Sequence, residues 1–367
     1  MNIAFSHGLG GKLPFDRRST LTWTDRSRPD GRCVNEITGI AARPNVGELV
    51  LTEGDVMRIL VIGAGALGGY FGACLARAGR DVTFLVRQRR AEQLARDGLR
   101  VVSPHGDFNV PAATVLADDL HEPFDLVLVA TKSYSLHEAM EQFAPAVGSA
   151  TAILPILNGM AHLDALSTRF GADHVLGGIA AISAALDADG RVVQMIPPHD
   201  LVYGEISGGL TERTRALSTL FAGSRFNAKA SEAVMQDMWD KWVGFGISAG
   251  MTCLMRASFG DILVAPGGRQ AILRLVGECS AIATAAGFPP SQPFIESVTT
   301  LFTTAGSPIK ASMLRDIERG SVTEGEHVLG ELTARARALD VATPILDLAC
   351  IHVAAYEAGR AREAAAA

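Results

Sequence analysis

A single lysine stands in apolar company in the stretch QDMWDKWVGFGISAG, residues 236–250. At the helical period of about 3.6 residues, Lys241, Phe245, Ser248 and Ala249 share one face. Trp239, Trp242, Val243 and Gly246 take the sides and back, where they can pack. A lysine in such a place can run its stem along apolar surface and put its ammonium in solvent. The other reading is an ammonium that faces a cleft and takes part in chemistry. Burial beside apolar groups would lower its pKa, and a nearby carboxylate would oppose that.

A second constellation lies far upstream, in RILVIGAGALGGYFG at 58–72. The spacing G-x-G-x-x-G falls on Gly63, Gly65 and Gly68, after a β-branched apolar run and at the start of a helical pattern. In that context the motif reads as a dinucleotide site. Gly63 makes the tight turn, Gly65 lets backbone approach a pyrophosphate, and Gly68 allows close helix–strand packing. The loop Gly63, Ala64, Gly65, Ala66, Leu67 and Gly68 then offers phosphates the free N–H groups and positive end of the helix. The next strand ends TFLVRQRR, with Arg87 at its tip and no carboxylate. A carboxylate there would hold the ribose of NAD, whereas a guanidinium suits the 2′-phosphate of NADP. NADP is therefore the expected cofactor. Arg89 and Arg90 read as a solvated helix start. Lys132 also ends a strand and is a candidate second contact to the cofactor phosphate or ribose, with an ordinary solvated lysine as the competing reading.

These residues need elements to hold them. RILVIG, DVTFLVR, FDLVLVATK and TAILPILNG read as buried strands, alternating with helical segments such as GGYFGACLARAG. That alternation predicts a parallel sheet covered on both faces. Shorter strand-like pieces follow near 175–182, 191–196 and 201–205. Beyond about Asn227 the spacing turns helical, punctuated by proline and glycine. The expected fold is α/β: an N-terminal Rossmann dinucleotide-binding domain at 57–227, then an all-helical domain at 228–362. The tail RAREAAAA reads as a frayed end. Residues 1–56 lack periodicity and a secretory apolar core. Met57 directly precedes RILVIG, so 1–56 read as an extension that is disordered or mis-assigned.

The bulk numbers narrow the function. A length of 367 residues suggests about two domains, and 48% hydrophobic with 20% charged residues fits a soluble globular chain. A net charge of -6 with interspersed signs gives no footprint for nucleic acid or an anionic membrane. The uncharged run Ile59 to Ala76 approaches the length of a membrane span, but its glycines favour strand, turn and helix. The cysteines Cys33, Cys74, Cys253, Cys279 and Cys350 are scattered and form no CxxC, which reads as reduced thiols in a cytoplasmic protein. No metal site is expected.

With these pieces in order, the chain from Met57 to about Arg360 resembles the ketopantoate reductase (2-dehydropantoate 2-reductase) family. The resemblance rests on GAGALGG at 63–69, Arg87, ATK at 130–132, LNGM at 157–160, WDKW at 239–242, SMLRDI at 312–317 and TEGE at 323–326. It implies a Rossmann domain and a helical domain with the active site between them. It also implies NADPH-dependent reduction of the 2-keto group of ketopantoate to pantoate, on the route to pantothenate and coenzyme A. Lys241 matches the catalytic lysine, whose ammonium can stabilise and protonate the alkoxide left by hydride transfer. Glu324 matches the active-site glutamate, expected to bond substrate and orient the lysine. Asn158 matches the asparagine near nicotinamide and lysine, and Ser312 a substrate-contacting serine. Bare sequence pattern would make Glu324 and Glu326 surface carboxylates, Asn158 a turn residue and Ser312 a helix cap.

The sequence departs from the family at the substrate. Pantoate-forming members usually carry asparagines four and eight residues after the lysine, where this chain has Phe245 and Ala249. An Asn-Gly pair that often follows the glutamate is replaced by Leu329 and Gly330. A paralogue that reduces a less polar 2-keto acid is thus the alternative substrate reading. A related β-hydroxyacid or sugar-acid dehydrogenase would carry a glycine-rich carboxylate segment, which LNGMAHL lacks. A non-catalytic NADP-binding protein would need none of Lys241, Glu324 and Asn158. The sequence leaves the oligomeric state open, a homodimer included.

Overall fold

The computed structural model describes residues 57–366. The reading of 1–56 as an extension, and Cys33, lie outside the described residues. In the N-terminal part the strands are β1 (Arg58–Ile62), β2 (Asp81–Leu85), β3 (Leu99–Val102), β4 (Phe108–Val110), β5 (Ala113–Val115), β6 (Leu126–Val129), β7 (Ala152–Pro155), β8 (Leu176–Leu186), β9 (Val192–Glu205) and β10 (Asn227–Ala230). Among them run helices α1 (Ala66–Arg77), α2 (Gln88–Asp97), α3 (Leu136–Phe143), α4 (Ala161–Phe170) and α5 (Glu212–Phe221). From there on the regular elements are helical: α6 (Val234–Met255), α7 (Phe259–Val264), α8 (Gly268–Ala285), α9 (Gln292–Phe302), α10 (Ser312–Glu318), α11 (Glu331–Ala338) and α12 (Pro344–Ala366).

The first sheet is parallel throughout, in the order β5-β2-β1-β6-β7. Chain order reverses beside β1, whose neighbours are β2 and β6. That reversal opens a crevice at the C-terminal strand ends, where ligands of such sheets sit. Alternate residues of these strands feed two cores, as the two-residue period of a strand requires. Leu60, Ile62, Val127, Val129 and Ile153 join Phe143, Leu163 and the helical part. Ile59, Val61, Leu126, Leu128 and Leu154 join Phe71 and Leu75 of α1, together with Leu201 and Tyr203 of β9.

The second sheet was only partly foreseen. The three short pieces expected near 175–205 form two long strands, β8 and β9, paired antiparallel with a register shift between Ile182 and Ala184. β9 continues the sheet as β10-β9-β3-β4. β8 and β9 cover the α1 side and present Gly177 and Gly204 to the start of α6. A Cβ on Gly177 would stand 2.6 Å from the Val234 side chain, and one on Gly204 3.0 Å from Val234 Cβ. Those missing side chains seat α6 against the α/β part. The RAREAAAA tail also differs from expectation. It continues α12 to Ala366, in keeping with the high helix propensity of alanine. Among the described residues no helix is long and apolar enough to cross a membrane.

The tightest packing is at the glycine-rich turn. Gly63 has φ +92°, in the left-handed region. A Cβ on Gly68 would fall 2.1 Å from the Gly63 carbonyl oxygen, a backbone atom that cannot step aside. Gly68→Ala should therefore push α1 off β1. The expected result is a loss of about 1–3 kcal/mol of stability in denaturant unfolding, together with weakened dinucleotide binding by fluorescence titration. An unchanged variant on both counts would contradict this account of the turn.

Candidate active site

Lys241 sits two turns into α6, on a helix most of whose side chains are buried. Trp239 and Trp242, with ring centroids 5.0 Å apart, wall its base, and Phe288 stacks on Trp239 at 5.7 Å. Lys241 lines a small pocket with Asn158, Phe245, Met238, Ile179 and Trp242. Lys241 and Asn158 supply its free polar side chains, because the Trp242 indole N–H donates to the Val328 carbonyl at 3.0 Å. Burial pushes the Lys241 ammonium down to a pKa of about 8, with the Glu324 carboxylate opposing the shift.

The other residues expected at the site divide. Asn158 follows β7 in the turn that ends at Gly159 and reaches the lysine's pocket from the α/β side. Phe245 lines the pocket one helical turn beyond Lys241. Ala249 does not belong with them. It was expected in the substrate set, and it is 0% exposed inside the helical core and lines no part of this pocket. The helical period assigns a face but not a depth, and the next turn of α6 is already covered by neighbouring helices. Ser312 is the first residue of α10 and is exposed, outside the pocket lining. Glu326 is exposed, as expected.

Glu324 is near the lysine but bound elsewhere. Its Oε2 pairs with Lys132 Nζ at 2.9 Å, and its Oε1 accepts from the Ser133 N–H at 3.3 Å. Burial works against the Lys132 charge. Glu324, helped by Asp316, outweighs that and holds the Lys132 pKa above its ordinary value. Lys132, expected as a cofactor contact, is thus tied across the cleft to the helical part. Glu324 acts on Lys241 through its field, and its carboxylate is occupied by Lys132.

The residues present fit a dinucleotide. A Cβ on Gly63 or Gly65 would meet nothing within 4 Å, so backbone lies open above the turn where a pyrophosphate would approach. Gly65 is the N-cap of α1 and has no side-chain cap, leaving the helix N–H groups free. Thr131, beside the crevice, has a buried hydroxyl without a partner among the described residues. The exposed Arg87 pairs with Glu138 at 2.8 Å.

Several working residues escaped sequence reading. Arg90 is not a solvated helix residue. It donates to the Ala64 carbonyl and to the Gly190 carbonyl, each at 2.9 Å, and ties the glycine turn to the β8–β9 connection. Its burial lowers its pKa. Glu331 accepts the N–H groups of Met160 at 3.3 Å and Ala161 at 2.8 Å, at the start of α4. It also pairs with Arg335, whose guanidinium lies 5.8 Å from the Trp239 ring centre and 5.5 Å from that of Trp242. His162 and His327 meet behind Asn158. Apart from the i,i+4 pair of Glu331 and Arg335, these contacts join positions far apart in sequence, and no local pattern marks them.

The family model for ketopantoate reductase PanE/ApbA matches residues 59–208, and that for the ketopantoate reductase C terminal matches 233–357. The uncharacterized oxidoreductase YkpB of Bacillus subtilis is 37% identical over 302 residues, 82% of this chain and 99% of its own. The 2-dehydropantoate 2-reductase of Halobacterium salinarum is 30% identical, covering 79% of this chain and 95% of its own. The crystal structure of 2-dehydropantoate 2-reductase from Geobacter metallireducens superimposes with a TM-score of 0.74 at 28% identity, over 81% of this chain and 99% of that one.

The lysine's environment makes a prediction about stability. Its pKa is about 8 in the folded protein, against an ordinary 10.5. Below about pH 8 the group is charged in both states, and the folded state bears the full cost of burying it. Between about pH 8 and 10.5 the unfolded chain binds the proton more readily, so that cost fades as pH rises. Lys241→Met should therefore raise the thermal midpoint at about pH 7, and the gain should shrink by about pH 10. Paired melts of the two proteins check this, and a pH-independent difference would contradict the lowered pKa.

Proposed function

The chain belongs to the ketopantoate reductase family, and on that premise we propose that it reduces a 2-keto acid to the 2-hydroxy acid with NADPH. The observation that carries the reading is the shared pocket of Lys241 and Asn158, a buried ammonium and an amide side by side. When bound, the nicotinamide supplies hydride to the carbonyl carbon. Lys241 holds the carbonyl oxygen, stabilises the negative charge that develops there and delivers its proton to it. A pKa of about 8 leaves the lysine charged at neutral pH yet ready to give the proton up. Asn158 orients substrate or nicotinamide through its amide. Glu324 keeps the field at the lysine favourable while paired with Lys132. Gly63 to Gly68 would hold the pyrophosphate. Arg87 would hold the 2′-phosphate that distinguishes NADPH from NADH.

The family's named activity points to 2-dehydropantoate as substrate and pantoate as product, a step toward pantothenate and coenzyme A. A second reading is favoured by Phe245. An aromatic ring lines the pocket where pantoate-forming relatives usually place an amide, and Ala249 is sealed in the core. The pocket offers no further polar side chain for a substrate hydroxyl, which supports a 2-keto acid with an apolar substituent. A site that hydrogen-bonds a hydroxyl discriminates far better than an apolar one.

Oxidation of NADPH and of NADH by the purified protein, with 2-dehydropantoate and a series of 2-keto acids bearing apolar side chains, separates these readings. The proposal expects turnover with at least one 2-keto acid and a preference for NADPH. On the apolar reading, Phe245→Asn raises kcat/KM for 2-dehydropantoate relative to the apolar acids by about tenfold or more. A wild-type protein that already favours 2-dehydropantoate, unchanged by Phe245→Asn, would leave the family substrate standing. Tight NADPH binding with no turnover of any 2-keto acid would overturn the reductase proposal.

A further inference from the structure

Asn158 can work only if its turn stays fixed against Lys241, yet the two residues come from different halves of the chain. The turn is pressed from the helical part by one side chain. Gly159 has φ +76°, and a Cβ there would lie 2.6 Å from the His327 carbonyl oxygen and 2.9 Å from its ring Cδ2. The Asn158 backbone lies close enough to the His327 ring to favour its charged form. On the same ring edge, His327 Nε2 stands 3.4 Å from Nδ1 of His162, which is 0% exposed on α4. The His162 Nε2 is buried without a partner among the described residues, so His327 is the hydrogen-bonding contact of that ring.

The backbone around His327 is as specific as its side chain. Residues Glu326–Gly330 form a π-helical turn, a rare conformation that is frequent at functional sites. That turn aims three neighbouring groups at the same junction. His327 meets Asn158 and Gly159, the Val328 carbonyl takes the Trp242 indole N–H beside Lys241, and Glu331 holds the N–H groups of Met160 and Ala161.

We propose that His327 is a positioning residue, which holds the Asn158–Gly159 turn in register with Lys241 and is itself backed by His162. The pair does this without adding charge. Burial, then the neighbouring His327 and Lys241, pushes His162 down to about 3, and burial lowers His327 as well, against Glu331 and Glu324. Both shifts favour the neutral ring beside the Lys241 charge.

The inference rests on the reductase reading and is tested in the full-length protein with NADPH and the best 2-keto acid. His327→Ala should lower kcat about 10- to 100-fold while KM for NADPH stays within about twofold, because small misplacements of a reacting group are costly. His327→Gln, whose amide keeps the reach to the His162 ring, should recover kcat to within about fivefold of wild type. A purely structural role would lower the melting temperature and leave kcat per folded molecule intact. Should His327→Ala fail to fold, His327→Asn takes its place. Its shorter side chain cannot span to His162, and its kcat should fall well below that of His327→Gln. Undiminished kcat in the Ala or Asn variant, or a Gln variant no better than Ala, would overturn the inference alone. A wild-type protein inactive on every 2-keto acid would overturn both it and the reductase reading.

Discussion

Withdrawing the Lys241 ammonium from water is costly, and much of the surrounding structure answers that cost. Trp239, Trp242 and Phe245 exclude solvent from the base of the lysine. Glu324 returns part of the lost stabilisation through its negative field. The balance leaves a pKa of about 8, far below that of a solvated lysine. A fully solvated ammonium would be a poor proton donor near neutral pH, and a deeply buried one would lose its proton altogether. The constraint on the fold is to hold α6 so that this one side chain lies between those limits.

That placement depends on contacts between the two parts of the chain. Gly177 and Gly204 let the start of α6 settle on β8 and β9. From the other side, the segment from Glu324 to Glu331 reaches back to the α/β part through Lys132, His327 and the N–H groups of α4. The cofactor crevice is built separately, from local backbone geometry. Gly63 and Gly68 shape its floor, and Arg90 braces the Ala64 carbonyl. The chain thus shapes the glycine turn from neighbours in sequence and the surroundings of Lys241 from residues up to 192 positions apart, as Lys132 and Glu324 are.

The same division explains what the sequence disclosed. The glycine turn was legible because its requirement is local: a strand, a left-handed glycine and a close helix leave a fixed spacing. Lys241 was legible because a charge in an apolar helical stretch conflicts with simple packing. Phe245 followed from the helical period, but Ala249 shows the limit of that argument, since a face carries no depth. Arg90 looked like a solvated helix residue because its partners, the Ala64 and Gly190 carbonyls, are backbone atoms that leave no mark in sequence. The antiparallel pair β8 and β9 was fragmented into short pieces by its interior glycines, prolines and polar residues. His162 and His327 carry no pattern at all, and their meeting exists only in the folded chain.

The central claim is that Lys241 supplies the proton in a hydride-transfer reaction and does not serve to hold the cofactor. Comparing wild type with Lys241→Ala for single-turnover reduction of the best 2-keto acid, alongside NADPH affinity by fluorescence titration, tests it most directly. The account predicts a rate loss of about 100- to 10,000-fold with NADPH affinity nearly unchanged. Near-normal turnover in the variant, or a loss explained by weakened NADPH binding, would contradict it.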